Sequence, residues 1–422
     1  MIRQITGTIA SRIITAVMNL LLTMLAGHAL GAEGLGVISL VLLGITLVML
    51  PANLVGGGAL VFLVPREPLG ALLRPAYAWG AVSAVLAFAV LQVLPLVPPG
   101  FEAHVCLLAF LQAFYSANLG VLAGQQRMRA HNTITALQAM VMLGVFAGLV
   151  LLGRDRGPMD YVYACYAAFG LTAVLTALAI DRHRQVPQRT EAGGTMRILI
   201  RQGLLVQGAN AAQLINYRLA YWLIEHFRGK AALGVYSVGN QLAESAWLAP
   251  RSLGLVLLSR VSNLDDAEHQ RRLTLTIARL AVTLAVGVLV LLAVVPDALF
   301  PLVFGREITH IRPIMLLLAP GIIAMAASQA FSHYFSGTGR NVHNLIGSGI
   351  GMVITCCCGL WLIPRIGLRG AALTASMAYG ASVVYQVIVF MRSTNSSLHE
   401  LLPNASDMRR AREAVRTLFA RA

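Results

Sequence analysis

The chain has 422 residues, of which 57% are apolar and only 12% charged, and its mean hydropathy is +0.73. Soluble proteins carry roughly 25% charged residues, so this much apolar surface cannot be hidden in one water-soluble core; an ordinary soluble enzyme is excluded and the solvent is lipid. The charge is lopsided, with 32 Lys+Arg against 17 Asp+Glu for a net +15, which in a lipid-embedded chain fits loops facing anionic headgroups rather than nucleic acid.

A membrane-spanning helix needs about 20 apolar residues and leaves no unpaired backbone in lipid, so the sequence divides wherever charge, Pro and Gly cluster. In chain order the expected spans are 8–30, 37–64, 71–97, 104–124, 133–152, 161–180, 198–224, 234–258, 273–299, 313–335, 345–363 and 370–391. The first resembles a signal peptide, but Arg12 and Asn19 interrupt its apolar stretch, so it is read as an uncleaved helix. The second is long and interrupted by Pro51 and Gly56-Gly57-Gly58, read as a bend or a close helix contact. The class expected is an all-α polytopic membrane protein of about 12 transmembrane helices.

With a cytoplasmic N-terminus, 21 of the basic residues fall in inside segments, 8 in outside loops and 3 (Arg218, Arg251 and Arg279) within spans, so both termini are expected in the cytoplasm. Lys230 is the only lysine among the 32, and since Arg does the same topological work the imbalance carries little function. No connection is long enough to fold as an extramembrane domain; the longest is Asp181 to Arg197. The tail 407–419 is basic, with Ala411, Val415, Leu418 and Phe419 at helical spacing, and is expected on the inner headgroup surface. The cysteines, Cys106, Cys165 and the run Cys356-Cys357-Cys358, lack ligand spacing and read as packing.

Self-similarity is the most informative signal. His28-x-x-Gly31-x-x-x-Leu35-Gly36-Val37-x-Ser39 recurs as His226-x-x-Gly229-x-x-x-Leu233-Gly234-Val235-x-Ser237 at an offset of 198, and Gly124-x-x-Arg127 with His131-Asn132 is echoed by Gly337-x-x-Arg340 with His343-Asn344. Two six-helix lobes related by an internal repeat follow: 1–185, a linker 186–200, 201–392, and a basic tail 393–422. Parallel repeats of this kind place a binding site between the halves. Simple enlargement of a scaffold is the plainer alternative.

A strongly polar side chain at mid-membrane is unfavourable by on the order of 2.5–3.5 kcal/mol and needs a partner or a wet cavity. Thr8, Arg12, Thr15, Asn19 and Thr23 form one helical stripe; Gln207, Asn210, Tyr217, Arg218 and Tyr221 form a second; Asn240, Glu244, Trp247 and Arg251 form a third. Gln329, Ser332, His333 and Ser336 lie on the tenth span. The stripes of the repeat-equivalent first and seventh spans are expected to face a shared hydrophilic cavity. Its arginines suit phosphate and its amides and aromatics suit sugar. Glu244 and His333 are candidates for proton coupling. Plainer readings stand beside these: Arg12 and Arg279 snorkel to the interface, Arg251 anchors a helix end, Glu244 neutralises Arg251, and His333 packs as a satisfied imidazole. No metal or cofactor site is expected, and no GxxxxGK[ST], HExxH or GxSxG motif occurs. Gly337-Thr338-Gly339-Arg340 is too short for a phosphate loop.

The turn Leu30-Gly31-Ala32-Glu33-Gly34-Leu35-Gly36-Val37, the stretch Asn53-Leu54-Val55-Gly56-Gly57-Gly58, the entry Gly234-Val235-Tyr236-Ser237-Val238 and the segment Ile366-Gly367-Leu368-Arg369-Gly370-Ala371-Ala372 resemble those of Wzx-type polysaccharide flippases of the MOP exporter superfamily. The resemblance spans the whole chain through loose patterns. It implies a V-shaped pair of lobes around a cationic cavity and flipping of an undecaprenyl-diphosphate-linked oligosaccharide across the bacterial inner membrane by alternating access. Arg12, Arg218 and Arg251 match the cavity arginines, a proton or sodium gradient is the implied drive, and membrane lipids, a polysaccharide polymerase and chain-length proteins are the implied partners. The rivals are a multidrug or small-molecule exporter of the same superfamily, which favours acidic cavity groups, and a membrane polysaccharide polymerase or ligase, which favours a long periplasmic loop. Lipid II flippases, also relatives, carry two further helices.

Overall fold

The computed structural model describes residues 2–55, 60, 64, 68–153, 156–181, 192–261, 264, 266–340 and 342–401, with side chains inside the helices for all but 2–10, 192–210, 212–213, 215–218, 255–256, 259 and 398. Among the described residues there are helices and no strands. In chain order these are α1 Ile2–Ala52, α2 Leu69–Val93, α3 Glu102–Gly124, α4 Met128–Leu152, α5 Pro158–Ala179, α6 Ala192–Glu244, α7 Leu248–Val261, α8 Ala267–Val294, the short α9 Leu299–Phe304, α10 Ile311–Gly337 and α11 Val342–Thr394. Single 3-10 turns occupy Asn53–Val55, Ser245–Trp247 and Leu398–Leu401.

Three of these helices are hairpins. α1, α6 and α11 leave helical geometry at Gly31 (φ 68°, ψ −169°), Gly229 (φ 80°, ψ 174°) and Gly367 (φ 61°, ψ −134°). The first two lie in a region of backbone space open essentially to glycine alone. The chain doubles back at each. Tyr221 and Tyr236, which a straight helix would hold about 22 Å apart, have ring centroids 5.8 Å apart. A Cβ on Gly370 would lie 2.4 Å from the Leu362 carbonyl oxygen. The repeat pair Gly31 and Gly229 therefore marks a reversal, and where loops were expected between paired spans a single glycine makes the turn.

Among the described residues eight helical stretches are long and apolar enough to cross a bilayer, and two of them, Ser11–Val55 and Val342–Thr394, contain such a reversal. Counting each arm of these two and the two arms of α6, the second continued through α7, the described helices fit twelve passes. It is a multi-pass membrane protein.

The residues pack as two compact units, Met1–Ala211 with Val303–Ile308, and Ala212–Leu302 with Thr309–Ala422. In the first unit, Ser11 Oγ donates to the Asn132 carbonyl (2.9 Å), tying α1 to α4. The hydroxyl of Tyr77 donates to Asn118 Oδ1, and Asn118 Nδ2 donates to Thr176 Oγ1 (3.2 Å), joining α2, α3 and α5 where lipid offers no competing water. Below this network lie Val55, Leu72, Val121 and Leu122, all fully buried. The Val303–Ile308 segment packs on the first hairpin: the Glu307 carboxylate accepts from the Ala32 N–H (2.8 Å) at the start of the returning arm. A Cβ on Gly27 would lie 1.9 Å from the Phe304 carbonyl oxygen, so only glycine admits the segment.

In the second unit α10 and α11 are joined by Ser328 Oγ donating to Gln386 Oε1 (2.7 Å), Ser376 Oγ to the Leu317 carbonyl (2.5 Å) and Ser382 Oγ to the Gly347 carbonyl (2.7 Å). Phe331, Phe335 and Phe390 fill the core beside Leu257 and Leu275. Beyond α11 the chain turns back onto α8, held by Arg271 Nη1 on the Glu400 carboxylate and by Arg279 Nη1 on the Glu400 carbonyl (3.1 Å). Arg279, expected to snorkel to the interface, reaches this turn beyond the end of α11. Gly56-Gly57-Gly58 and the basic tail 407–419 lie outside the described residues.

Candidate functional site

The second pass of each repeat is broken, and proline breaks it. Proline has no N–H for the carbonyl four residues earlier and its ring crowds that carbonyl. Pro51 and Pro250 stand 20 and 21 residues beyond the paired glycines Gly31 and Gly229. Around Pro51 the helix ends at Ala52 in a 3-10 turn, and the Pro51 carbonyl is taken by the Trp79 indole N–H (2.8 Å). Inside the expected span 37–64, α1 therefore gives way to a 3-10 turn after Ala52, and residues 56–59 and 61–63 lie outside the described residues. Around Pro250, α6 ends at Glu244, the 3-10 turn Ser245–Trp247 follows, and Pro250 sits in the first turn of α7, where a missing N–H is tolerated. Paired interruptions of this kind point to binding sites in repeat-built transporters.

The break in the second unit gathers polar groups. The reversal at Gly229 brings Asn240 back beside Tyr221, so Asn240 Nδ2 donates to Tyr221 Oη (3.3 Å) and to Glu244 Oε1 (2.9 Å). Tyr221 stands edge-on to Tyr236. Trp247 is 1% exposed; its indole N–H donates to the Ile322 carbonyl (3.0 Å) and its ring tilts against Tyr379, 5.9 Å between centroids. Arg251, exposed, lies with its guanidinium carbon 5.5 Å from the centre of that ring. Two contacts thus fix the indole, and the indole fixes an always-charged group.

Of the residues expected here, the structure joins Asn240, Glu244, Trp247 and Arg251 in one patch. Asn240 is only 1% exposed and half of its amide is used internally, so it orders the patch from within. Trp247 is likewise enclosed and serves as the platform under Arg251 rather than as an open face for a sugar. Glu244 and Arg251 do not pair: the carboxylate accepts from Asn240, and the guanidinium rests on Trp247. His333 lies on α10, its Nδ1 2.5 Å from the Gln329 carbonyl, and packs against α7 at Gly254, where a Cβ would come within 2.7 Å of its ring. Gln207, Asn210, Tyr217 and Arg218 lie on the first arm of α6, outside the described side chains.

In the first unit Arg12 and Asn19 are both exposed along α1. Arg12 follows the residue that bonds Asn132, and the Asn19 carbonyl accepts from Thr23 Oγ1 (2.9 Å). The supports that periodicity did not single out are Tyr236, Tyr379 and the Ile322 carbonyl. The one signal that could have located the break is the proline pair at matching distances from the repeat glycines. No group of three or more metal-ligating side chains occurs among the described residues.

Residues 82–313, more than half of the chain, match the polysaccharide biosynthesis protein family. The chain belongs to that family. No curated protein sequence matches it closely enough to add a relative. Among solved structures, the polysaccharide biosynthesis protein resembles a MOP superfamily transporter from Pyrococcus furiosus Vc1 (TM-score 0.69, 12% identity, 93% of this chain and 95% of that one). It also resembles the lipid II flippase MurJ in an inward closed conformation (TM-score 0.68, 11% identity, 95% and 89%) and an inward-facing multidrug resistance MATE family transporter (TM-score 0.66, 14% identity, 90% and 94%). At these identities the likeness shows a shared fold, that of MOP superfamily transporters, and the proteins matched are transporters and flippases rather than enzymes.

Proposed function

We propose that this polysaccharide biosynthesis protein is a flippase that moves an undecaprenyl-diphosphate-linked oligosaccharide across the bacterial inner membrane by alternating access, with both termini in the cytoplasm. The observation that carries this reading is Arg251: a guanidinium with no carboxylate within ion-pair distance among the described residues, held at the break of a transmembrane pass on a tryptophan that is itself fixed. An always-charged planar fork within a membrane-spanning pass suits the diphosphate of a lipid carrier and is the wrong sign for a cationic drug. The family supplies the glycan, and the fold shared with a protein named as a lipid II flippase supports the lipid-linked form. Arg12 and Arg218 are proposed to serve the same diphosphate, and Glu244 and His333 to carry coupling protons. A polymerase acting on the flipped oligosaccharide is the class of reaction that consumes the product.

Cells carrying Arg251→Ala are expected to lose surface glycan and accumulate the lipid-linked precursor while the protein stays at normal membrane levels; Arg251→Lys, which keeps charge without the fork, is expected to restore part of it. Normal surface glycan in Arg251→Ala cells would remove Arg251 from the site. Drug sensitivity with intact glycan in cells lacking the protein would favour an exporter.

A further inference from the structure

At one end of the second unit two glycine reversals lie side by side. Arg228, one residue before Gly229, donates from Nη2 to the Pro364 carbonyl (2.6 Å) and from Nε to the Ile363 carbonyl (3.3 Å), and a Cβ on Gly367 would lie 3.5 Å from Arg228 Nε. This contact places Arg365 and Arg369, which flank the second reversal, next to Arg228. All three arginines are exposed, and none has a carboxylate within ion-pair distance among the described residues. Arg365 lies over the ring of Trp361, 4.4 Å from its centre, and Trp361 is 59% exposed with Leu360, Ile366 and Phe227 open around it.

The turn itself does not require these charges. At the offset of 198, Arg228 and Lys230 stand where the first unit has Leu30 and Ala32, and that first reversal meets the Glu307 carboxylate with Glu33 exposed nearby. Both reversals keep the glycine and the short return; at the two positions flanking it, the cations are found in the second unit and not the first. Unpaired guanidiniums rimmed by an exposed tryptophan and aliphatic side chains match the chemistry of the headgroup layer, where an indole sits at the boundary and arginine meets phosphate.

We infer that the paired reversals at Gly229 and Gly367 form a binding site for the phosphate of an anionic glycerophospholipid, with Arg365 and Arg369 as ligands, Arg228 bridging the two turns and Trp361 anchoring at the headgroup level. The site is separate from the patch at Arg251 and concerns the bilayer's own lipid, not the cargo.

The test uses the full chain in nanodiscs of phosphatidylcholine with or without phosphatidylglycerol, followed by release into the gas phase for native mass spectrometry. The wild type is expected to retain phosphatidylglycerol and not phosphatidylcholine. The double variant Arg365→Gln/Arg369→Gln leaves the Arg228 bonds and the basic tail intact and is expected to bind phosphatidylglycerol more weakly by about fivefold per arginine removed, with a shallower salt dependence. Trp361→Leu, with all charges kept, is expected to lose part of the retention. Retention of phosphatidylglycerol in the double variant at the wild-type level would overturn the inference, as would equal retention of phosphatidylcholine. Retention of a polyprenyl diphosphate with none of phosphatidylglycerol would overturn it too. No transport is measured, so the outcome is independent of the flippase assignment.

Discussion

Arg251 depends on contacts that its own sequence neighbourhood does not reveal. The indole beneath it is fixed by a carbonyl of α10 and a ring of α11, 75 and 132 residues further along the chain. Trp247→Phe keeps an aromatic face but loses the N–H to Ile322 and is expected to reduce glycan export severalfold with little change in membrane level; export equal to the wild type would show that Arg251 needs no platform. The repeat glycines give a second residue-scale prediction. A side chain at either Gly31 or Gly229 must adopt a backbone region that costs on the order of 1–3 kcal/mol. At Gly31 a Cβ also meets the Glu307 carboxylate at 2.5 Å, whereas at Gly229 nothing lies within 4 Å. Gly31→Ala is therefore expected to lower Tm in detergent more than Gly229→Ala, and the reverse order would contradict the packing of Val303–Ile308 on the first hairpin.

At the scale of elements, the hairpins and the interruption at Pro51 were legible and the break before Pro250 was not. The offset of 198 exposes Gly31 and Gly229 because a reversal with positive φ leaves little choice of residue. The 3-10 turn at Ser245–Trp247 stays hidden inside an apolar run, since hydropathy does not register a carbonyl orphaned by Pro250. Contacts such as Glu307 on Ala32 or Arg228 on Pro364 join residues 275 and 136 positions apart, which no local periodicity encodes. The clasp after α11 is another such contact and carries a pH signature. The Ser397 N–H and the Arg271 guanidinium hold the Glu400 carboxyl below the usual carboxylate range. A depressed folded pKa contributes stability that is complete above the unfolded value, about 4.3 for Glu, and is lost as pH falls through the folded value. Protection of the 395–401 amides relative to their unstructured exchange rates is thus expected to fall below about pH 4, and Glu400→Gln to show lower protection already at neutral pH; pH-independent protection in the wild type would contradict the clasp.

For the whole molecule, composition sufficed to identify a lipid-embedded chain, the apolar stretches between clusters of charge, Pro and Gly sufficed to count twelve spans, and the duplicated turn divided them into two halves. None of these says what crosses the membrane. Most of the +15 charge is spread over connections and the tail, where it concerns orientation. Only a few arginines are proposed to bear on chemistry, and they divide into two groups: Arg251, with Arg12 and Arg218, for the cargo, and Arg228, Arg365 and Arg369 at the paired reversals for the bilayer's own lipid. Residue type alone did not separate those groups, because an arginine near a span end reads as an anchor until its neighbours from other helices are known. The family match places the chain in polysaccharide biosynthesis, and its fold is the one shared with MOP superfamily transporters. The most direct test is flipping by the purified protein in proteoliposomes loaded with a polyprenyl-diphosphate-linked oligosaccharide, read by access of an added sugar-modifying enzyme to the outer leaflet. The wild type is expected to expose the oligosaccharide and Arg251→Ala to do so at least tenfold more slowly at equal protein content. Wild-type rates in the variant, or no flipping by the wild type alongside transport of a cationic drug, would contradict the central claim.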